Sequence, residues 1–403
     1  MPGITDLKPL LLSHFTATSC IGRGLEQTLD ALQHGCSGLI QCAFETVELD
    51  TFIGEVAGVD DVQLPPHLAD YDCRNNRLAQ LAFTQDNFAE AIHAATTKYG
   101  AHRIGVFIGT STSGILETEL AYRQRDAISG ALPADFHYGT QHNTFSVADF
   151  TRRYFDLTGP AVVVSSACSS SAKVFSSARR MMAAGLIDAA LVGGVDTLCL
   201  TTLYGFNSLG LTSTQACRPY DGARDGISIG EAGAFALLEQ APDDPESGAI
   251  LLLGIGESSD AYHMSSPHPE GLGARMSMQA ALAMAGLTPQ DIDYINLHGT
   301  ATQSNDAAEG HAVAALFGDA TPCSSTKGAT GHTLGAAGGM EAIICALALQ
   351  HGFLPGGLHT RQLDSALPLD YLLANRTQSV TRVMSNSFGF GGTNCSLILG
   401  RAK

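Results

Sequence analysis

Apolar residues in this chain fall in short blocks, each closed by glycine or by small polar residues, and the blocks recur in the same order in two stretches. In the first, residues 105–110 (Gly-Val-Phe-Ile-Gly-Thr), 161–165 (Ala-Val-Val-Val-Ser) and 189–194 (Ala-Ala-Leu-Val-Gly-Gly) are apolar runs too short for helices. Such runs predict strands buried on both faces. Residues 172–184, between the last two, read as a helix rich in small residues. In the second stretch, 294–300 (Tyr-Ile-Asn-Leu-His-Gly-Thr) repeats the pattern of 105–110. Residues 321–326 then lead through Lys-Gly-Ala-Thr-Gly-His into an apolar helix at 338–350, followed by 352–355 as the matching strand. Runs 233–239 and 249–254 predict two more strands around the polar stretch 241–248, which divides a first half, residues 1–242, from a second, residues 249–403. Strand–turn–helix units repeated in this way predict an α/β fold with both sheet faces covered, built from two duplicated halves.

Composition agrees with a large buried core. Of 403 residues, 45% are hydrophobic and only 15% charged, and 44 are glycine, as in an enzyme with many tight turns. No run reaches the roughly 18 apolar residues of a membrane span, and the run at 9–12 is too short for a signal peptide. Ten cysteines without CxxC pairs read as reduced thiols in a cytoplasmic protein. The net charge of −17 disfavours nucleic acid and anionic membranes alike. An acidic partner would need a local basic patch, for which Arg74 and Arg77 at helical spacing, or Arg123 and Arg125, are the candidates; the spacing equally suits a solvated helix face.

Four motifs carry chemistry. Cys168, in Ser-Ser-Ala-Cys-Ser-Ser-Ser, lies between a strand and a helix start, whose exposed amides are expected to depress a thiol pKa and favour a nucleophilic thiolate. His298 leaves an apolar strand in His-Gly-Thr-Ala-Thr, and His332 sits in Lys-Gly-Ala-Thr-Gly-His. Lys327, in that last motif, needs a carboxylate partner or a lowered pKa, and Glu309 is the expected partner. The loop at 388–394 (Phe-Gly-Phe-Gly-Gly-Thr-Asn) can turn its backbone so that the amides of Phe390 and Cys168 form an oxyanion hole. A zinc site made from Cys168, His298 and His332 is a competing reading, weakened by the lack of close ligand pairs and of a carboxylate. The remaining cysteines, Cys395 included, read as buried core.

Ala-Cys-Ser-Ser-Ser at 167–171, His-Gly-Thr-Ala-Thr at 298–302, Lys-Gly-Ala-Thr-Gly-His at 327–332 and Asn-Ser-Phe-Gly-Phe-Gly-Gly-Thr-Asn at 386–394 together resemble a β-ketoacyl-acyl-carrier-protein synthase of the elongating type I/II, within the thiolase superfamily. The stretch 221–231 also resembles a family motif; the likeness is good from about residue 160 onward and looser before it. The resemblance implies a thiolase-like five-layered αβαβα fold, a homodimer or heterodimer, and no cofactor beyond the phosphopantetheine carried by the partner, acyl carrier protein. Cys168 would accept an acyl group, and His298 and His332 would stabilise the enolate formed when malonyl-carrier loses carbon dioxide. Lys327 would support the histidines, with Glu309 and Phe388 behind them. Thr300 and Thr302 would bind the pantetheine arm, Phe390 would gate the acyl pocket, and Arg74 and Arg77 would dock the carrier. Asn296, Glu341, Ser385 and Asn386 resemble a structural cation site. Ala301 stands where many members have Gly or Ser. A degradative thiolase would use a second cysteine as base, an initiating synthase would carry Asn in place of His332, and a non-catalytic chain-length partner would lack the nucleophile.

Overall fold

A computed structural model describes residues 8–403; residues 1–7 of the first half lie outside the described residues. Ten strands carry the fold: β1 (Leu10–Ser19), β2 (Ile104–Gly109), β3 (Ala161–Val164), β4 (Ala189–Asp196), β5 (Ala232–Gln240), β6 (Ile250–Ser259), β7 (Tyr294–Asn296), β8 (Cys323–Ser324), β9 (Arg382–Gly389) and β10 (Thr393–Arg401). They lie side by side in the order β8-β7-β9-β10-β6-β1-β5-β4-β2-β3. Read outward from the middle, 6-10-9-7-8 repeats 1-5-4-2-3 with every number raised by five. Pair directions repeat too: the two pairs nearest the middle of each half are antiparallel and the two outer pairs parallel. The halves meet where β1 pairs with β6, Leu10 opposite Leu252 and Leu11 opposite Leu251.

Helices fill three layers around these strands. On one outside lie α1 (Arg74–Phe83), α2 (Phe88–Tyr99) and α3 (Ser146–Tyr154); α4 (Ser170–Ala183) follows β3 inside, and α5 (Leu200–Ser208) follows β4. On the other outside are α6 (Leu272–Ala285) and α7 (Gln303–Phe317), while α8 (Ala337–His351) follows β8 inside, the counterpart of α4. Both inner helices touch strands of both halves, giving five alternating layers of helix and sheet. The inner layer forces the composition of α8. A helix with sheets on two sides has no solvent face, so apart from Glu341 it is apolar all round over 337–349, and every residue from Ala337 to Leu349 is buried. The stretch Leu334–His351 is thereby apolar enough to cross a membrane, yet 89% of it is buried inside the protein.

Small residues set the spacing between the two inner helices. A Cβ on Gly338 would stand 2.7 Å from that of Ala172 and 2.8 Å from Ser387 Oγ. Beside it, Gly339 N, a first-turn amide with no helical acceptor, donates to Ser171 Oγ at 2.8 Å.

Two sequence expectations are corrected. Residues 352–355 are not the counterpart of β4: Phe353–Leu354 pairs with Arg376–Thr377 in a separate small sheet, and β9 takes that place. The run at 161–165 is not buried on both faces either, because β3 is the edge of the sheet and all four of its residues are half-buried. Replacing Gly338 by Val is expected to cost about 1–3 kcal/mol of stability through overpacking, measured as a lower midpoint in chemical denaturation.

Candidate active site

The nucleophile turn is built by its serines. Ala167 adopts a left-handed φ of 52°, so the chain reverses between β3 and α4 and presents Cys168 at the helix start. Ser166 N donates to Ser170 Oγ at 2.9 Å and Ser169 Oγ to Ser166 O at 2.9 Å. Thr393 Oγ1, beside the glycine-rich loop, contacts Ser169 Oγ at 2.8 Å and donates to Ser166 O at 3.0 Å. The serines therefore fix the geometry of the turn.

His332 arrives from the other half. Its amide donates to Ser228 O at 2.7 Å and its carbonyl accepts from Gly230 N at 3.0 Å, so the 221–231 motif zips the histidine in place. Nε2 then stands 3.0 Å from Cys168 Sγ. His298 lies across the site, the imidazole centroids 5.3 Å apart and nearly perpendicular at 84°. Lys327 Nζ approaches His298 Nδ1 at 3.3 Å. An ammonium has no lone pair, so Nδ1 must accept and we assign the proton of His298 to Nε2. Burial, then Lys327 and His332, hold His298 well below the ordinary histidine range, and burial with Lys327 does the same to His332. Both rings are neutral at rest.

Lys327 does not pair with Glu309. Its Nζ makes short bonds to Glu341 and to the carbonyl of His298. Burial pushes the Glu341 carboxyl up to about 7 against the pull of Lys327. Glu309 instead accepts from the amides of His298 and Gly299, each at 2.8 Å, and from Tyr220 Oη at 3.0 Å. Glu309 and Glu341 stand 18 and 14 positions from Lys327, so sequence separation does not choose between them; Glu309 organises the loop that carries His298, and Glu341 on α8 reaches the ammonium.

The depressed thiol pKa is also corrected. Burial pushes Cys168 up to about 11, outweighing the opposing effects of Lys327 and of the Phe390 amide. At 6% exposure the loss of hydration exceeds what a helix terminus returns. The resting nucleophile is a thiol, and as the acid of the pair it donates to His332 Nε2.

Cys168, His298 and His332 line a narrow cleft whose walls include Phe206, Thr300, Thr302, Phe388, Gly389 and Phe390. Thr300 Oγ1 and Thr302 Oγ1 are 2.9 Å apart. Phe388 packs 6.0 Å from the His298 ring, and Phe390 packs 5.6 Å from Phe206. The amide of Phe390 lies close enough to act on the Cys168 sulfur, as an oxyanion donor must.

Residues 79–244 match the family model for the β-ketoacyl synthase N-terminal domain and residues 250–361 that for its C-terminal domain. The 3-oxoacyl-[acyl-carrier-protein] synthase 2 of Vibrio cholerae is 33% identical over 95% of this chain and 96% of its own. The chain belongs to the β-ketoacyl synthase family. Among solved structures, a ketosynthase (ApeO) in complex with its chain length factor (ApeC) from Xenorhabdus doucetiae matches at 39% identity and a TM-score of 0.88, covering 98% of both chains. A β-ketoacyl synthase from Burkholderia phymatum matches at 28% and 0.86, covering 98% of this chain and 100% of that one. The fold is thus the thiolase-like one, and the enzyme is a carbon–carbon bond-forming acyltransferase.

Several features of this ketosynthase take their meaning from the geometry. Arg74 is no docking residue: its guanidinium is 3% exposed, bound to Glu231 and bridged to Asp60. Arg77 is clamped by Asp72 through two bonds of 2.6 and 2.7 Å. Helical spacing placed both arginines on one face but could not reveal the carboxylates folded over them. Ala301 holds a φ of 66°, the conformation that Gly adopts without strain. Cys395 is fully buried in the core and pushed well up by burial, so it offers no second base. The ligand atoms of Cys168, His298 and His332 lie within 4.8 Å of one another, a spacing a metal ion would accept. The Lys327 ammonium beside Nδ1 repels such an ion and favours anionic species instead. Asn296, Glu341 Oε2 and Ser385 Oγ are buried without a hydrogen-bond partner among the described residues, and Asn296 pairs with Ser385 across β7 and β9. The Asn386 side chain is already committed to Glu309 and Ser396.

Asp196 is a residue that the sequence reading missed. Fully buried at the end of β4, it accepts from the amides of Ser111 and Thr112, from Thr110 Oγ1 at 2.6 Å and Thr112 Oγ1 at 2.8 Å, and from Gly335 N, three residues beyond His332. A charged residue ending the apolar run Gly-Gly-Val-Asp was the available signal.

With the thiol raised and both imidazoles neutral, alkylation of Cys168 by iodoacetamide in the free enzyme is expected to accelerate with pH toward about 11, without a plateau near neutrality. Lys327→Met removes a charge that lowers the thiol pKa and should shift that rise further upward. A plateau at neutral pH would overturn the neutral resting state.

Proposed function

We propose that this ketosynthase elongates acyl chains carried on acyl carrier protein, by decarboxylative Claisen condensation with a malonyl thioester, in a type II fatty acid or polyketide-type system. The observation that carries the reading is the 3.0 Å contact between a buried thiol and a neutral imidazole at the floor of a narrow cleft. In acyl transfer, His332 Nε2 takes the thiol proton as sulfur attacks the incoming thioester, and returns it to the departing pantetheine sulfur. Coupling deprotonation to attack suits a thiol that is not ionised at rest. When malonyl thioester follows, its carboxylate leaves as carbon dioxide and negative charge gathers on the thioester oxygen, where His298 Nε2–H donates. His332 supplies a second donor, since no group among the described residues pins its Nδ1 and the ring is free to change tautomer. The carbanion attacks the acyl-Cys168 carbonyl, whose oxyanion rests on the amides of Cys168 and Phe390. Collapse expels the Cys168 thiolate and leaves the β-ketoacyl thioester on the carrier. Thr300 and Thr302 line the path of the pantetheine arm.

Asn296, Ser385 and Glu341 Oε2 suit a hard cation with oxygen ligands, which would compensate the second Glu341 oxygen and stiffen β7 against β9. The half-buried edge strand β3, whose outer backbone groups are unpaired, suits pairing with a second ketosynthase-fold chain. Relatives described as ketosynthases with chain length factors support a two-chain assembly. Retention of Cys168, His298 and His332 marks this chain as the catalytic partner.

Cys168→Ala is expected to abolish condensation, by at least about 10³-fold, while malonyl-carrier decarboxylation persists; mass spectrometry of the carrier-bound products reads both. A mutant that condenses normally would end the nucleophile assignment. Sedimentation should show a two-chain species, as the purified chain or after co-expression with a ketosynthase-fold partner. A stable monomer in both cases would refute pairing through β3.

A further inference from the structure

The two segments that rim the cleft mouth, 204–211 and 260–276, carry one arginine, Arg275, and no lysine, little basic charge for an acidic carrier. The rim is made by the chain around Phe206 and Leu211 on one side and around Asp260 and residues 265–267 on the other. The glycine-rich loop lies between the two sides: Gly391 N donates to Met264 O and Asp260 N to Gly392 O, both at 2.8 Å, and Phe390 packs on Phe206. Outside the cleft these segments expose Leu209 (58%), Tyr262 (56%) and Met264 (80%). Residues 204–211 contain no charge, and across 260–276 Arg275 is opposed by Asp260 and Glu270. The arginines next in sequence, Arg218 and Arg224, are held by Asp225, and by Asp306 and Asp364. Arg74 and Arg77 are bound by carboxylates as described above.

We propose that acyl carrier protein docks on this apolar rim, through Leu209, Tyr262 and Met264, and not on a basic patch. This rests on the ketosynthase reading, which places the carrier at the mouth because Cys168 lines the cleft. Large apolar side chains exposed on both sides of a functional opening are what a protein interface requires. Charge then acts against association: the chain carries −17 and carrier proteins are acidic, so the two repel at long range. Salt screens that repulsion without weakening apolar contact. The expected salt dependence is therefore opposite in sign to docking through arginines.

The test is steady-state kinetics with acyl-carrier protein and with an acyl-N-acetylcysteamine thioester, which has no carrier to dock. For the wild-type enzyme, KM for the carrier substrate is expected to fall as ionic strength rises from about 0.05 to 0.3 M, over which the screening length roughly halves. The double variant Leu209→Glu, Tyr262→Glu should raise that KM at least about tenfold and leave carrier-free turnover within about twofold of wild type. The carrier-free substrate also reports that the variant is folded. A KM that rises with salt, or one unchanged in the variant, would overturn the proposal while leaving the ketosynthase reading intact. Wild-type enzyme inert toward both substrates would overturn that reading, and the docking site with it.

Discussion

The approach of Cys168 to His332 is the constraint that the rest of the molecule serves. The two residues belong to different halves and are 164 positions apart in sequence. Their contact exists because α4 and α8 lie against each other in the middle layer, where Gly338 and Ala172 allow close packing. Each inner helix begins just after a catalytic loop, so the spacing of the helices is also the spacing of the reacting groups. Stability and chemistry thus draw on the same packing, and a substitution that separates the helices separates the thiol from its base.

Buried carboxylates do much of the positioning, and they do it through amides more than through ion pairs. Glu309 gathers the turn after β7, Asp306 accepts from Thr300 N at 2.9 Å and Tyr220 N at 2.8 Å, and Asp196 ties the turn after β2 to the loop beyond His332. A carboxylate out of water needs several donors to remain acceptable, and strand-exit turns supply unpaired amides. Each acid is thereby satisfied as it fixes a loop. Among the described residues, Lys327 is the cation placed against the imidazoles. Its pairing with Glu341 leaves a cation beside His298 that suits developing negative charge and keeps both rings neutral.

The reading of Cys168 shows where local rules stop. A helix start does favour thiolate, but the same serine-rich turn that places the sulfur there also buries it. The desolvation of a charge exceeds the attraction of a few partial dipoles, so the thiol stays protonated until a substrate arrives. Arg74 fails in the same manner. An arginine on a helix face looks available until Glu231, 157 residues away, folds over it.

The chain alone determined the repeated strand–turn–helix order, the small-residue helices and the identity of the nucleophile, the two imidazoles, the ammonium and the glycine-rich loop. Those are legible because each is set by local chemistry: side-chain period, turn conformation, and reactive groups gathered at strand exits. Only the tertiary structure decided that the strands of the two halves join side by side with the same order and directions repeated, that Lys327 takes Glu341 over Glu309, that Cys168 is a protonated thiol, and that β3 is an edge. Burial and partnership depend on how separate elements pack, whether the residues lie 14 positions apart, as Lys327 and Glu341 do, or 164, as Cys168 and His332 do, and no local pattern records which of them meet.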